Sequence, residues 1–152
     1  MANKKHLEIL RKGTQTWNQW REKNPQILPD LSRANLNNIK LSRANLGGVN
    51  LREAELRNAD LRGTNLYEAN LDRADLREAN LTDSDLRELN IYATIGTAIL
   101  SGASLREANL SGADLTNAYL PQCNLSKANL SRSNLRGANL IPIKNEVEHN
   151  LG

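Results

Sequence analysis

The chain has 152 residues, a length suited to one domain around a single core. Aromatic residues make up 3% and Phe is absent, so the core must be aliphatic. Cys123 is the only cysteine, which excludes an intrachain disulfide and a cysteine-rich metal site. The net charge of +3 is uneven: residues 1 to 30 carry six Lys/Arg against three Asp/Glu, whereas residues 31 to 140 carry thirteen against twelve. A near-neutral middle lacks the clustered basic face that phosphate backbones attract, so nucleic acid is not expected as a partner.

In chain order, the N-terminus MANKKHLEILRKG has no apolar run and no cleavage site, and nowhere does an apolar stretch approach a membrane span. A cytoplasmic chain with no membrane partner is the expectation. In HLEILRKGTQTWNQWREKN, Leu7, Leu10, Trp17 and Trp20 recur at helical spacing, predicting one amphipathic helix or two short ones around Gly13. These four side chains are assigned to an N-terminal α-helical cap over residues 1–28, ended by NPQILPD.

From Leu31 onward an aliphatic residue, position i, falls on every fifth place. There are thirteen such repeats from Leu31 to Ile91 and ten from Ile95 to Leu140, all with Leu or Ile at i. Ala fills fifteen of the twenty-three i−2 positions, and i−1 is usually Asn or Asp. Steps of five scatter leucines around a helix and send them to opposite faces of a straight strand. The spacing works only if the chain turns a corner every repeat, with four corners closing a coil of about twenty residues stacked at about 4.8 Å. Positions i and i−2 then point inward, and i−1, i+1 and i+2 point out.

Tandem units such as ADLREANL and SGADL resemble the pentapeptide-repeat proteins, and the resemblance covers residues 31 to 140. It implies an all-β solenoid, a right-handed quadrilateral parallel β-helix of about 5–6 coils with a small helical cap, occupying residues 29–141 and followed by a tail at 142–152.

Stacking residues twenty apart predicts side-chain columns. Arg33, Glu53 and Arg73 alternate in sign, and Glu68, Glu88 and Glu107 form another column beside Arg87 and Arg106. Exposed pairs of this kind serve solubility and register more than binding. The rule of five slips once, at the four-residue unit beginning with Ile91. We read this as one residue missing from one coil, stacking Leu110 nineteen residues after Ile91, with Gly96 supplying unusual dihedrals. Around the slip, apolar residues stand where the wall should face water: Tyr92, Ile99, Tyr119, Pro121 and Ile141 form the candidate interaction patch. The alternative is that the tail IPIKNEVEHNLG covers that patch or caps the last coil.

Signals for catalysis are absent from the sequence. His6 and His149 lie near opposite ends, and no zinc-spaced cluster, phosphate loop or nucleophile elbow occurs. Cys123, at i−2, reads as a small buried hydrophobe of little reactivity. No cofactor and no metal site is expected. The leading reading is a non-enzymatic interaction or scaffold protein whose protein partner the sequence does not name, with a homodimer through a solenoid end or the apolar patch as a further expectation. One alternative comes from the resemblance: some members mimic DNA and bind type II topoisomerases such as gyrase. That role needs a strongly negative rod, and this chain is basic. A second alternative is a detached regulatory module, or an enzyme without a recognisable site.

Overall fold

The computed structural model describes residues 1–86, 104–118, 120 and 123–140. Two helices come first. Helix α1, Lys4–Arg11, is capped by Asn3, whose side-chain oxygen accepts from the backbone N–H groups of Lys5 and His6 at 3.0 and 3.2 Å. Gly13, at φ 101°, breaks the chain before α2, Thr14–Lys23. The sequence left one helix or two open, and the glycine settles it as two.

From Asp30 the chain forms single-residue parallel bridges instead of long strands. Asp30 pairs with Asn50, Asn35 with Glu55, Lys40 with Asp60 and Asn45 with Asn65, so residues twenty apart lie in adjacent layers. Three backbone bonds per repeat join the layers. On one wall these run from Leu31 N to Asn50 O (2.8 Å), from Arg33 N to Arg52 O (2.8 Å) and from Asn50 N to Pro29 O (2.9 Å). The result is a β-helix solenoid.

Each corner is a tight turn. The N–H of Ala34 donates back to Leu31 O at 3.1 Å, and Arg33, at i+2, has φ 59°. A single positive φ at the third residue of a hydrogen-bonded turn is the type II pattern. Every described i+2 residue obeys it, including Glu53, Glu78 and Lys127, whose side chains have no preference for it. The Asn/Asp at i−1 offsets part of this cost. Its side-chain oxygen accepts from the i+1 N–H, which the ladder leaves free, as in Asn50 to Arg52 (3.1 Å), Asn70 to Asp72 (2.9 Å) and Asn109 to Ser111 (3.1 Å). Where Glu55 stands at i−1, Asn37 of the layer below caps Arg57 N instead, at 2.9 Å.

Inside, the leucines and alanines are almost wholly buried, Leu46, Leu56, Leu66, Leu71, Leu76, Leu81 and Leu110 at 0%. Thr64 and Ser84 replace Ala at i−2 without an unmet polar group, because each hydroxyl donates to the carbonyl of the preceding Leu at 2.7 Å.

The register across residues 87–103 corrects the sequence reading. Asp75 pairs with Ser104, Asn80 with Asn109 and Asp85 with Asp114, twenty-nine residues apart. Leu110 therefore follows Leu81 on its wall, not Ile91, and this coil holds nine residues more than a regular one instead of one fewer. Nine added and one removed differ by ten residues, which is two whole repeats, so leucine phase cannot separate them; backbone pairing can. Accordingly Arg106 and Glu107 stack on Arg77 and Glu78, not on Arg87 and Glu88: Glu78 N donates to Arg106 O at 3.0 Å. Ile91, Ile95 and Gly96 lie outside the described residues.

Candidate functional site

A solenoid layer needs a neighbour on each side, and the first layer has none below. Its downward-facing groups are the N–H and C=O of i−1 and the C=O of i+1, and the cap meets them with side chains. Trp17 Nε1 donates to Asn45 O at 2.7 Å. Asn18 meets Asn45 N with its oxygen, which accepts at 2.8 Å as the carbonyl of a lower layer would, and its nitrogen donates to the neighbouring i+2 carbonyl, Arg43 O, at 3.0 Å. Arg21 donates to Gly47 O (2.7 Å) and Ile27 O (3.0 Å). Asn3 N donates to Asp30 O (2.9 Å), and His6 Nδ1 accepts from Asp30 N (3.1 Å).

Of the four cap residues named from sequence, Leu10 and Trp17 are fully buried, and Leu7 and Trp20 pack against the core from partly buried positions. Trp20 lies between His6 and Trp17, with ring centroids 5.2 and 5.4 Å away. Since a backbone N–H can only donate, His6 must be neutral at Nδ1. Burial lowers its pKa from the ordinary value, against the raising influence of Asp30; Lys5 and Arg21 add to the lowering. The roles of Asn3, His6, Asn18 and Arg21 escaped the sequence reading, which counted apolar spacing only.

The walls carry polar ladders. Arg33 pairs with Glu53 at 2.6 Å, Arg52 bridges Glu53 and Asp72 at 3.4 and 3.1 Å, and Asp75 takes both Arg57 and Arg77 at 2.5 and 2.6 Å. Recesses are shallow. One of about 100 Å³ lies among Arg57, Arg77, Glu78, Arg106 and Glu107. Another, about 450 Å³, opens where Gly63 leaves a gap beside Ser42, Arg43, Arg62 and Asp83, with Arg62 held bidentate on Asp60 at 2.7 and 2.8 Å. Among the described residues no cluster of three His/Cys/Asp/Glu could hold a metal, and no helix is long and apolar enough to cross a membrane. Cys123 is half-buried, and desolvation pushes its thiol pKa up to about 12.

Tyr92, Ile99, Tyr119, Pro121 and Ile141 all lie outside the described residues. A different apolar group appears beside the cap, unmarked by the repeat pattern: Leu28 is 77% exposed, and Ile27 and Tyr67 are 39% exposed each. At the far end Leu140 is 47% exposed.

Among solved structures, the chain is similar to the pentapeptide repeat protein Rfr23 of Cyanothece 51142, with 28% identity over 69% of this chain and a TM-score of 0.48; the match spans 65% of the Rfr23 chain, just under two thirds of its length. It is similar to the pentapeptide repeat protein alr5209 of Nostoc Pcc 7120, with 29% identity, 84% of this chain and 95% of that one covered, and a TM-score of 0.40. QnrB1, a plasmid-mediated fluoroquinolone resistance protein, matches at 19% identity over 72% of this chain and 59% of its own, with a TM-score of 0.39. No curated protein matches the chain. The pentapeptide-repeats pattern matches residues 30–67, 64–94 and 98–137 in eight copies. With that match across most of its length, and a layered right-handed β-helix behind a helical cap, the chain belongs to the pentapeptide repeat family.

Proposed function

We propose that the chain is a non-enzymatic repeat module whose walls and ends bind other proteins in the cytoplasm, built as a quadrilateral solenoid of about five to six coils. The observation that supports this is the filled interior: from Leu36 to Leu120 every described leucine at i is at most 2% exposed, so function falls to the outer surface. That surface consists of flat ladders and shallow recesses, which suit a broad protein partner better than an enclosed substrate. The test is capture of a binding partner by the parent chain and by an Ile99→Ser/Tyr119→Ser variant. A partner held by the parent and lost by the variant supports the reading. Turnover of a small molecule that disappears on changing one surface carboxylate would overturn it.

Topoisomerase binding by DNA mimicry is disfavoured by charge. Arg33 and Glu53 alternate in sign along their column, and Arg57 pairs diagonally with Asp75 of the next layer, whereas a duplex mimic needs carboxylates without such partners. A gyrase supercoiling assay is expected to show no inhibition.

A further inference from the structure

The two ends of the solenoid differ. The cap meets the backbone row of the first layer, whereas the last described layer, residues 123–140, has no described layer above it. Its leucines show the consequence: Leu125, Leu130 and Leu135 are only partly buried and Leu140 is 47% exposed, while Leu105, Leu110 and Leu115 one layer below are at most 1% exposed. The backbone of this end is also one-sided. In a covered wall, the N–H groups of i and i+2 and the carbonyl of i−2 point up, as in Leu110 N to Asn129 O (2.8 Å), Gly112 N to Ser131 O (3.0 Å) and Asn129 N to Ala108 O (2.9 Å). In the last layer the N–H groups of Leu125, Lys127, Leu130 and Arg132 point the same way and meet no backbone acceptor among the described residues. The end therefore presents an apolar floor with two donors for every acceptor around it.

Charge points in the same direction. Lys127, Arg132 and Arg136 are the charged residues of this layer, and no Asp or Glu occurs between Asp114 and Glu146. Lys127 reaches down to Glu107 at 3.5 Å, which leaves Arg132 and Arg136 to set the sign of the rim. A second copy does not suit such an end. Its own last layer would bring donors against donors and cations against cations, and its first layer is already covered by Trp17, Asn18 and Arg21. The end calls for an occupant with an apolar edge, free carbonyls and negative charge. Residues 141–152, IPIKNEVEHNLG, have that chemistry: in an extended chain Ile141, Ile143, Val147 and Leu151 share one edge, and Glu146 and Glu148 lie on the other. They have the reach as well, because twelve extended residues cover about 40 Å, whereas a five-residue wall spans at most about 17 Å.

We infer that residues 141–152 dock across the open last layer as an extended segment, with Ile143 and Val147 against Leu125, Leu130 and Leu135 and the two glutamates toward Arg132 and Arg136. The segment's carbonyls take upward N–H groups that no further layer meets. Its attachment to Leu140 holds it at a high effective concentration, which an untethered acidic peptide would have to exceed. The contact closes this end with chain instead of helices, and a partner that uses the end has to displace it. This goes beyond the module reading above and holds whether or not a wall binds another protein.

The test is hydrogen exchange of the full chain, read at single amides by nuclear magnetic resonance. The N–H groups of Leu125, Leu130 and Leu135 are expected to exchange at least about tenfold more slowly in the parent than in Ile143→Asp/Val147→Asp. Those of Leu56 and Leu61, sealed by the layer above, should keep one rate in both. Glu146→Lys/Glu148→Lys is expected to speed the same three end amides. A diazirine side chain at position 147, in an equal mixture of ¹⁴N and ¹⁵N protein, should give adducts at residues 125, 130 or 135 within one isotope. End amides as fast in the parent as in the aspartate variant would leave the end open to an outside partner and overturn the inference, and so would protection that survives both variants. Mixed-isotope adducts, which would seat a second copy there, or adducts confined to a side wall would overturn it as well.

Discussion

Trp17→Phe isolates the hydrogen-bonding part of the cap from its apolar part. Phe keeps most of the buried ring but cannot donate to Asn45 O, now 2.7 Å from the indole nitrogen. A carbonyl left unpaired at a partly buried site costs about 1–3 kcal/mol. Trimming indole to phenyl in a fully buried site adds roughly 1 kcal/mol of lost contact and cavity. The expected loss is about 2–4 kcal/mol, read from the urea midpoint by far-ultraviolet circular dichroism. Trp20→Phe is the control: Trp20 is only partly buried and its indole nitrogen has no hydrogen-bond partner among the described residues, so about 1 kcal/mol or less is expected. Equal losses in the two variants would refute the view that Trp17 stands in for a missing layer of the ladder.

Acid should loosen the same end. The folded chain holds His6 neutral and below its ordinary pKa, so the unfolded chain binds the proton first; stability from this contact is complete above about pH 6.5 and falls as pH drops from there through the lower folded value. The urea midpoint is therefore expected to decline below about pH 6.5, and His6→Gln to remove the part of that decline that His6 contributes. At Gly63, with φ +61° and only ordinary contact with Arg43, Ala should cost about 1 kcal/mol for its backbone conformation and Asn less, in the same denaturation assay. Leu71→Ala, deep in the stack at 0% exposure, should cost about 2–5 kcal/mol, and half-buried Leu130→Ala clearly less; equal costs would deny that both neighbouring layers bury a leucine. Leu71→Asp, which strands a carboxylate in that core, should abolish cooperative unfolding.

The inward walls were legible in the sequence because one aliphatic residue per five leaves no other common surface, and Leu36, Leu41, Leu46 and Leu51 do line the interior at 2%, 1%, 0% and 1% exposure. The backbone at i+2 was not legible. Arg33, Glu53 and Lys127 adopt positive φ because hydrogen bonds to an adjoining layer fix the turn, and their side chains carry no trace of it. The Asn/Asp at i−1 was a visible signal whose meaning, a cap on the i+1 N–H, depends on a direction only coordinates supply. At the cap, spacing identified Trp17 as apolar, while its polar edge, and the carboxamide of Asn18, acquire a role only against the edge they cover.

The cap has one physical origin. A parallel layered stack cannot end without leaving one row of backbone groups unpaired, and this chain answers at its N-terminal end with side chains instead of another layer. Asn18 and Trp17 replace backbone groups with compact polar ones, whereas Arg21 brings to Gly47 O a full charge that the carbonyl does not need. A neutral donor would have closed the edge equally well. The guanidinium closes it with its two terminal nitrogens on backbone carbonyls, Gly47 O and Ile27 O. Arg21→Gln, a neutral donor, should therefore keep the edge closed to the extent that Gly47 O is still met, with a smaller loss in the urea midpoint than Arg21→Ala, which meets neither carbonyl.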